Sequence, residues 1–234
     1  MGSRAGYGDD RATAPEAPPP KGVLRDYVET ILVCVIFVLF TRAFVFQQSK
    51  IPSGSMENTL LVGDYIMVNR FVYAPTQWSW ENSLLPVREI RRGDVVVFKF
   101  PDTPEIDYIK RVVGLPGDRV EIRDGDLWLN DEKLEEPFVL PEHRAPREYF
   151  PAQVVEPGHL FVMGDHRNAS SDSRRWGQLP LGLVKGRALL IWWSYPDERD
   201  GALRPGSDQL AALGRKVVTF PWRSRWSRCF ELIR

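Results

Sequence analysis

Residues 94–117 read DVVVFKFPDTPEIDYIKRVVGLPG, and this stretch contains two runs of β-branched and aromatic residues. Such residues favour strands, whereas proline and glycine end them. The first run, Asp94–Phe100, is closed by Pro101, and the second, Tyr108–Val113, is closed by the turn sequence of residues 114–117. The stretch therefore predicts two successive strands.

The same pattern continues in both directions along the chain. Val120–Arg123 and Leu127–Leu129 flank Asp124-Gly125-Asp126, a strong hairpin signal because glycine tolerates positive φ. Further strands are predicted at Tyr65–Val68, Leu160–Met163 and Ala188–Trp193. The fold class that follows is mostly β.

Composition excludes several classes of protein. The chain has 234 residues, 43% of them hydrophobic, which is enough for one sizeable core or for one core with a small second lobe. Its formal net charge is zero, so no nucleic-acid partner is expected. Cys34 and Cys229 do not resemble a disulfide framework, and no Cys/His cluster has zinc-ligand spacing, so no metal is expected.

The N-terminal region has two parts. Residues 1–24 are rich in alanine and proline and predict a disordered tail. Residues 25–47 include the largely apolar run Tyr27–Phe46, which as a helix would be about 30 Å long and could cross a bilayer. We therefore expect one transmembrane anchor.

Two alternatives to an anchor stay open. The run could be a buried helix, although no second long helix is predicted to pack against it. It could also be a cleaved signal peptide, since residues 41–43 mimic a small-x-small cleavage site. Lys21 and Arg25 precede the run and favour a cytoplasmic N-terminus, but Arg42 and Lys50 weaken that inference.

A candidate nucleophile lies in Ile51–Met56, IPSGSM. Proline fixes its own φ, and glycine leaves room for a substrate carbonyl to approach. Ser55 could therefore present its hydroxyl and its backbone N–H to one point, as a nucleophile with half an oxyanion hole requires. Pro-Ser-Gly-Ser is also a common loop sequence and matches neither the Gly-x-Ser-x-Gly nor the Ser-x-x-Lys motif.

A candidate base is Lys110, which is followed directly by Arg111. Side chains alternate along a strand, so Lys110 shares a face with Tyr108 and Val112, and Arg111 points to the other face. Burial would lower the pKa of a lysine from about 10.4, and a neutral amine is a competent general base. The alternative is an edge-strand lysine that discourages aggregation.

The third candidate segment is the polar loop Gly164–Gly177, which follows a predicted strand. Its short hydrogen-bonding side chains could orient a catalytic group, and an Asp–Arg pair could brace it. An ordinary turn-rich connection is the alternative. His166 also raises the possibility of a Ser–His–Asp triad with Asp165 or Asp172.

Taken in order, these segments resemble the conserved boxes of bacterial type I signal peptidases. The resemblance runs from the apolar segment to Trp193 and is specific in order and spacing. His166 departs from it, because the family usually has asparagine there. The matching stretches are Ile51–Leu60, Gly63–Tyr65, Arg92–Val96, Asp107–Asp118, Gly164–Gly177 and Gly186–Ala188.

The resemblance implies a role for each candidate residue. Ser55 would be the nucleophile and Lys110 the general base. The Ser55 N–H and the Ser53 hydroxyl would form the oxyanion hole, and Ser170 would orient Lys110. Other implied residues are Asp172 and Arg174 as supporting groups, and Ile51, Tyr108 and Ile109 in substrate binding.

The resemblance also implies an organisation and a partner. A catalytic β core at 48–118 and 159–234 would carry a small inserted β lobe at 119–158, tethered by the anchor and needing no cofactor. Signal peptides of exported preproteins would be the substrates, cleaved after small residues at −3 and −1. The enzyme would be a single-pass protein of the cell membrane, with its catalytic domain on the outer side.

Two other kinds of protein remain alternatives. One is a Ser–Lys self-cleaving repressor of related β architecture, which the apolar run and the lack of a DNA-binding segment oppose. The other is a non-catalytic, membrane-tethered scaffold that binds extended peptides.

Tryptophans suggest contact with membrane lipid. Trp78 and Trp80 lie in the apolar stretch Phe71–Leu85, and tryptophan favours the membrane–water interface. Trp192 and Trp193 are adjacent on a predicted strand, so their rings are expected on opposite faces.

Overall fold

The structure is a computed structural model that describes residues 23–40, 46–73, 87–196 and 220–233. The predicted disordered tail therefore lies, up to residue 22, outside the described residues, as do Trp78 and Trp80. The chain divides into two units, Met1–Phe40 and Thr41–Arg234.

In the first unit, helix α1 spans Val23–Phe40. Its apolar side chains are exposed along its length, Phe37 for example by 68%. By length, hydropathy and charge, none of the helices in the described part of the chain qualifies as a membrane span. The predicted transmembrane anchor at 25–47 is therefore not confirmed.

The second unit is built from strands, as predicted. They are β1 (Phe46–Lys50), β2 (Asp64–Asn69), β3 (Val95–Phe100), β4 (Thr103–Gly114), β5 (Arg119–Arg123), β6 (Asp126–Leu129), β7 (Glu132–Lys133), β8 (Phe150–Val154), β9 (His159–Met163), β10 (Leu179–Pro180), β11 (Val184–Ser194) and β12 (Glu231–Leu232). A short helix, α2, spans Ser173–Trp176. Because β1 begins at Phe46, the last two residues of the predicted anchor belong to a strand.

The strands form two antiparallel sheets. The larger has the order β1-β2-β11-β3-β4-β9-β10, and β12 pairs with β11. The smaller has the order β7-β6-β5-β8 and lies within the range 119–158 predicted for an inserted lobe. Its central hairpin pairs Arg123 with Asp126, around the turn that the sequence predicts.

Among the described residues, apolar side chains form three buried clusters. One contains Ile51, Met56 and Ile109. A second joins the small sheet to the large one, since it includes Val120 and Phe161. The third contains Val96 and Val112, with Tyr108 packed against it. Tyr108 and Ile109 thus pack in different clusters, as alternation along β4 predicts.

The prediction that the rings of Trp192 and Trp193 lie on opposite faces is wrong. Both contact Tyr65, at centroid distances of 6.3 and 5.3 Å, and their own centroids are 5.9 Å apart. The reason is a bulge in β11, because Ile191 and Trp193 pair with the consecutive residues Ile66 and Tyr65 of β2. A bulge adds one residue to a strand and interrupts the alternation of side chains.

Candidate active site

Ser55 lies in a single 3-10 turn, Gly54–Met56. Buried side chains hold both ends of this segment, since Ile51 is 2% exposed and Met56 0%. The Ile51 N–H donates to the Asp64 carbonyl at 2.9 Å, and the Gly63 N–H donates to the Ile51 carbonyl at 3.0 Å. The serine is therefore presented from a turn anchored in the core and at the start of β2.

Lys110 reaches this serine from β4. Its Nζ lies 2.7 Å from Ser55 Oγ and donates to the Ile109 carbonyl at 2.9 Å. The side chain is 3% exposed. The two residues that the sequence singled out, 55 positions apart, thus lie within hydrogen-bond distance.

Burial of Lys110 changes its chemistry. Desolvation lowers its pKa from 10.5 to about 8, with a smaller contribution from the positive charge of Arg174. Asp172 and Asp165 act in the opposite direction. A pKa near 8 leaves a useful neutral fraction of the amine near neutral pH, which is the form that can accept a proton.

Ser53 and Ser170 differ in exposure to solvent. Ser53 is exposed and has an extended backbone, with φ −135° and ψ 155°. Ser170 is buried, but its hydroxyl makes no hydrogen bond to Lys110, whose partners among the described residues are Ser55 and Ile109. The orienting bond expected from Ser170 is therefore not formed in this structure.

The predicted ion pair between Asp172 and Arg174 is present. Arg174 Nε and Nη2 donate to the two Asp172 carboxylate oxygens, each at 2.7 Å. Asp172 also accepts from the Gly164 N–H at 3.0 Å. Although burial favours the neutral acid, the hydrogen bonds and charge of Arg174 hold the pKa of Asp172 below its usual value.

A second buried ion pair joins Arg111 to Asp165. Arg111 Nε and Nη2 donate to Asp165 at 2.8 and 2.7 Å, and the two side chains are 2% and 1% exposed. The Thr59 hydroxyl donates to the same carboxylate at 2.5 Å. Sequence reasoning did not predict this pair, although the placement of Arg111 opposite Lys110 could have prompted a search for a buried acid.

Two further ion pairs connect the range of the inserted lobe to the polar loop. Arg167 Nη1 donates to Glu136 at 2.7 Å, and Arg174 pairs with Glu148. Both acids lie between residues 119 and 158, more than 25 positions before their partners. No local pattern pairs residues over such a separation, so sequence reasoning missed these contacts.

The geometry does not support a triad built on His166. Asp165 is paired with Arg111 and Asp172 with Arg174, so neither orients the imidazole. His166 Nδ1 instead lies 3.2 Å from the Gly54 carbonyl oxygen.

Gly164 sits where the polar loop meets the serine turn. A Cβ placed on it would lie 2.3 Å from Ser170 Oγ and 2.5 Å from the Ser55 carbonyl oxygen. Real Cβ atoms do not approach so closely, so any larger residue would displace one of these segments. The glycine allows the close packing that brings the two segments together.

The three predicted substrate-binding residues lie near Ser55 and Lys110 in the sequence. Ile51 precedes the serine turn, while Tyr108 and Ile109 precede Lys110 on β4. Tyr108 stacks on Phe100 with centroids 4.4 Å apart and lies 5.4 Å from Lys110 Nζ. Ile51 and Ile109 are buried in one cluster.

Comparison with known proteins identifies the family of this chain. The family model for signal peptidase, peptidase S26, matches residues 24–193. Signal peptidase I of Pseudomonas aeruginosa is 35% identical over 213 residues, covering 76% of this chain and 75% of that protein. Signal peptidase I of Bacillus licheniformis is 33% identical over 189 residues, covering 76% of this chain and 94% of that protein.

A solved structure of a signal peptidase I from Enterococcus faecalis is also similar. It is 29% identical, with a TM-score of 0.36, and the match covers 43% of this chain and 97% of that one. On the family match and the curated relatives, the chain belongs to the peptidase S26 family of signal peptidases and is a serine endopeptidase.

Proposed function

We propose that this peptidase removes N-terminal signal peptides from exported preproteins through a Ser55 nucleophile and a Lys110 general base. The observation that carries the proposal is the 2.7 Å contact between Lys110 Nζ and Ser55 Oγ, made by a lysine that is 3% exposed. An amine that is desolvated and aimed at a hydroxyl can activate it without a histidine.

Acylation follows from this geometry. Neutral Lys110 accepts the Ser55 proton as Oγ attacks the carbonyl carbon of residue −1 of the preprotein. In this proposal the Ser55 N–H and the Ser53 hydroxyl stabilise the oxyanion that forms. Protonated Lys110 then gives its proton to the departing amine, which is the new N-terminus of the mature protein, and an ester remains on Ser55.

Deacylation reuses the same base. Lys110 is neutral again after the mature protein leaves, so it can accept a proton from a water molecule that attacks the ester. Collapse of the second oxyanion releases the signal peptide and returns the proton to Ser55. The Ser170 hydroxyl, buried beside Gly164, remains our candidate for orienting the amine, with Asp172 and Arg174 bracing its loop.

The substrate would bind as an extended strand. Main-chain hydrogen bonds would supply affinity, and alternate side chains would enter small pockets, which suits small residues at −3 and −1. Ile51, Tyr108 and Ile109 are the residues that we assign to this contact. They adjoin the serine turn and Lys110 directly.

The test is cleavage of a purified preprotein in detergent by the wild type and by Ser55→Ala. The wild type should release a product whose N-terminal sequence begins directly after the small residue at −1. Cleavage by Ser55→Ala, or a cut elsewhere, would contradict the proposal. The same assay separates a protease from a scaffold that only binds peptides.

We also infer attachment to the cell membrane, with the apolar segment that begins at residue 25 and ends before β1 as a single anchor and the β body on the outer side. The exposed apolar side chains of α1 support this inference. Protease added to intact spheroplasts should digest the β body and spare a tag at residue 1. Protection of the β body would contradict this topology.

Contact of the β body with lipid is supported by exposed aromatic side chains near the C-terminus. Trp222 is 82% exposed, Phe230 74% and Trp226 56%. A protein lacking residues 1–40 should sediment with lipid vesicles, and Trp222→Ala with Phe230→Ala should weaken that binding. Tyr149→Ala, which removes an aromatic ring that is 69% exposed in the smaller sheet region, is the control and should leave vesicle binding intact.

A further inference from the structure

Three side chains with metal-ligand chemistry meet beside the serine turn but outside the catalytic pair. Glu57, His143 and His166 each offer one ligand atom, and these atoms all lie within 4.8 Å of one another. The three residues come from distant parts of the sequence, so ligand spacing along the chain could not reveal them. The cluster plays no part in the proteolytic steps described above.

Each member of the cluster belongs to a different segment. Glu57 caps the turn that carries Ser55. His143 ends the 3-10 turn Pro141–His143, within the range of the inserted lobe, and His166 immediately precedes the 3-10 turn Arg167–Ala169. An ion bound here would therefore connect three segments that are otherwise held by hydrogen bonds and packing.

The two imidazoles are in contact by stacking, and one ring must turn about its Cβ–Cγ bond before both can direct a nitrogen lone pair at one ion. Their ring centroids are 3.9 Å apart, with planes inclined by 21°. His166 Nδ1 lies 3.4 Å from Glu57 Oε2. Two ligands of one tetrahedral zinc ion, each about 2.0–2.1 Å from the metal, are separated by roughly 3.4 Å.

One ring nitrogen in the cluster lacks a partner. His143 Nδ1 is buried and has no hydrogen bond among the described residues. A buried polar atom without a partner is costly, and native structures seldom keep one without a reason. An ion bound through Nδ1 of His143 would satisfy this nitrogen.

We propose that Glu57, His143 and His166 form a binding site for Zn²⁺. Two imidazoles and one carboxylate are a ligand set that zinc accepts, with water in the fourth position. The approach of the metal to His166 Nδ1 would compete with the 3.2 Å contact to the Gly54 carbonyl. Gly54 adjoins Ser55, and the backbone N–H of His166 donates to the Ser55 carbonyl. Zinc binding would therefore alter the serine turn.

The test is zinc binding by the full-length chain in detergent at pH 7.5, measured by competition with a zinc-sensitive dye. The background is Cys34→Ser with Cys229→Ser, which removes two adventitious ligands. We expect one Zn²⁺ per chain, with a Kd on the order of 1 μM. Glu57→Gln, His143→Asn and His166→Asn should each weaken binding about tenfold or more.

The matched control is His159→Asn, which removes the remaining histidine. Its ring contacts the Pro157 carbonyl and lies outside the cluster, so zinc affinity should not change. Thermal unfolding without zinc checks that each variant is folded. If His143→Asn is unfolded, His143→Gln takes its place. Zinc should raise the unfolding temperature of the parent protein but not that of the ligand variants.

Two results would overturn the site. One is the absence of zinc binding at tens of micromolar. The other is binding that the three ligand variants leave unaltered or that His159→Asn weakens equally. Because the readout is binding and not proteolysis, failure of the zinc site leaves the proposed function untouched. Conversely, an inactive protease could still bind zinc.

Discussion

Lys110 and Arg111 are neighbours on β4, and both are almost completely buried, at 3% and 2% exposure. Their environments differ. Arg111 meets the carboxylate of Asp165 through two hydrogen bonds. Lys110 meets a hydroxyl and a carbonyl oxygen, and desolvation lowers its pKa to about 8.

The two faces of β4 thus carry buried cations of different kinds, an arginine in an ion pair and a lysine with a lowered pKa. A buried cation with an acid partner is a fixed charge that holds elements together. A buried cation without a hydrogen-bonded acid is poised to lose its proton. Because side chains alternate, a single strand can supply both, as β4 does with Arg111 and Lys110.

The largest expected effect is on turnover. Ser55→Ala and Lys110→Met should each reduce kcat by at least about a thousandfold, since each removes a partner in proton transfer or bond formation. Both variants should remain folded, and Lys110→Met should be no less stable than the wild type at pH 7, because it removes a desolvated cation. Preprotein cleavage and urea unfolding measure the two quantities. Substantial turnover by either variant would contradict the assignment.

At Arg111 we expect the main effect on stability, in contrast to Lys110. Arg111→Met should lower the free energy of unfolding by about 3–5 kcal/mol, because it leaves Asp165 as an unpaired buried charge. Asp165→Asn with Arg111→Met should recover part of this loss. If Arg111→Met were as stable as Lys110→Met, the distinction between the two cations would fail.

A substitution at Gly164 tests the close contact between the polar loop and the serine turn. Gly164→Ala should destabilise the protein by about 1–3 kcal/mol through overpacking. It should also lower kcat/KM about a hundredfold, since a shift of about 1 Å in the serine turn misplaces the nucleophile. Gly182→Ala is the control, because a Cβ there meets nothing within 4 Å. Equal effects of the two substitutions would refute this account.

The smallest expected effect is that of pH. In the proposed mechanism the neutral amine of Lys110 accepts the proton, so kcat/KM should rise about tenfold per pH unit at low pH and level off above about 8. A rise centred near 6.5, the ordinary value for histidine, would instead implicate His166. Circular dichroism over the same pH range checks that the protein stays folded.

Local patterns predicted much of the fold. The strands around Asp94–Phe100 and Tyr108–Val113 are confirmed, as is the hairpin at residues 124–126, because alternation and turn residues act over a few positions. The strand at Phe150–Val154 was missed, since its sequence, FPAQV, contains a proline and little apolar character. The bulge between Ile191 and Trp193 was missed because a bulge depends on the partner strand.

The candidate site also has features that the sequence predicted and features that it did not. Ser55 and Lys110 were candidates from their neighbours in the sequence and received their roles from the family resemblance, and the structure brings them together. The Arg111–Asp165 pair and the missing bond between Ser170 and Lys110 could not be predicted. Each depends on distances between segments, which no local pattern contains.

By itself, the sequence indicated seven of the strands, the order of the chemical segments and the two residues expected to react. The tertiary structure alone decided which buried cation has an acid partner and which does not. It also decided that Glu57, His143 and His166 converge. The physical reason is that strand propensity acts between neighbours, whereas burial and ion pairing act between side chains that only folding brings together.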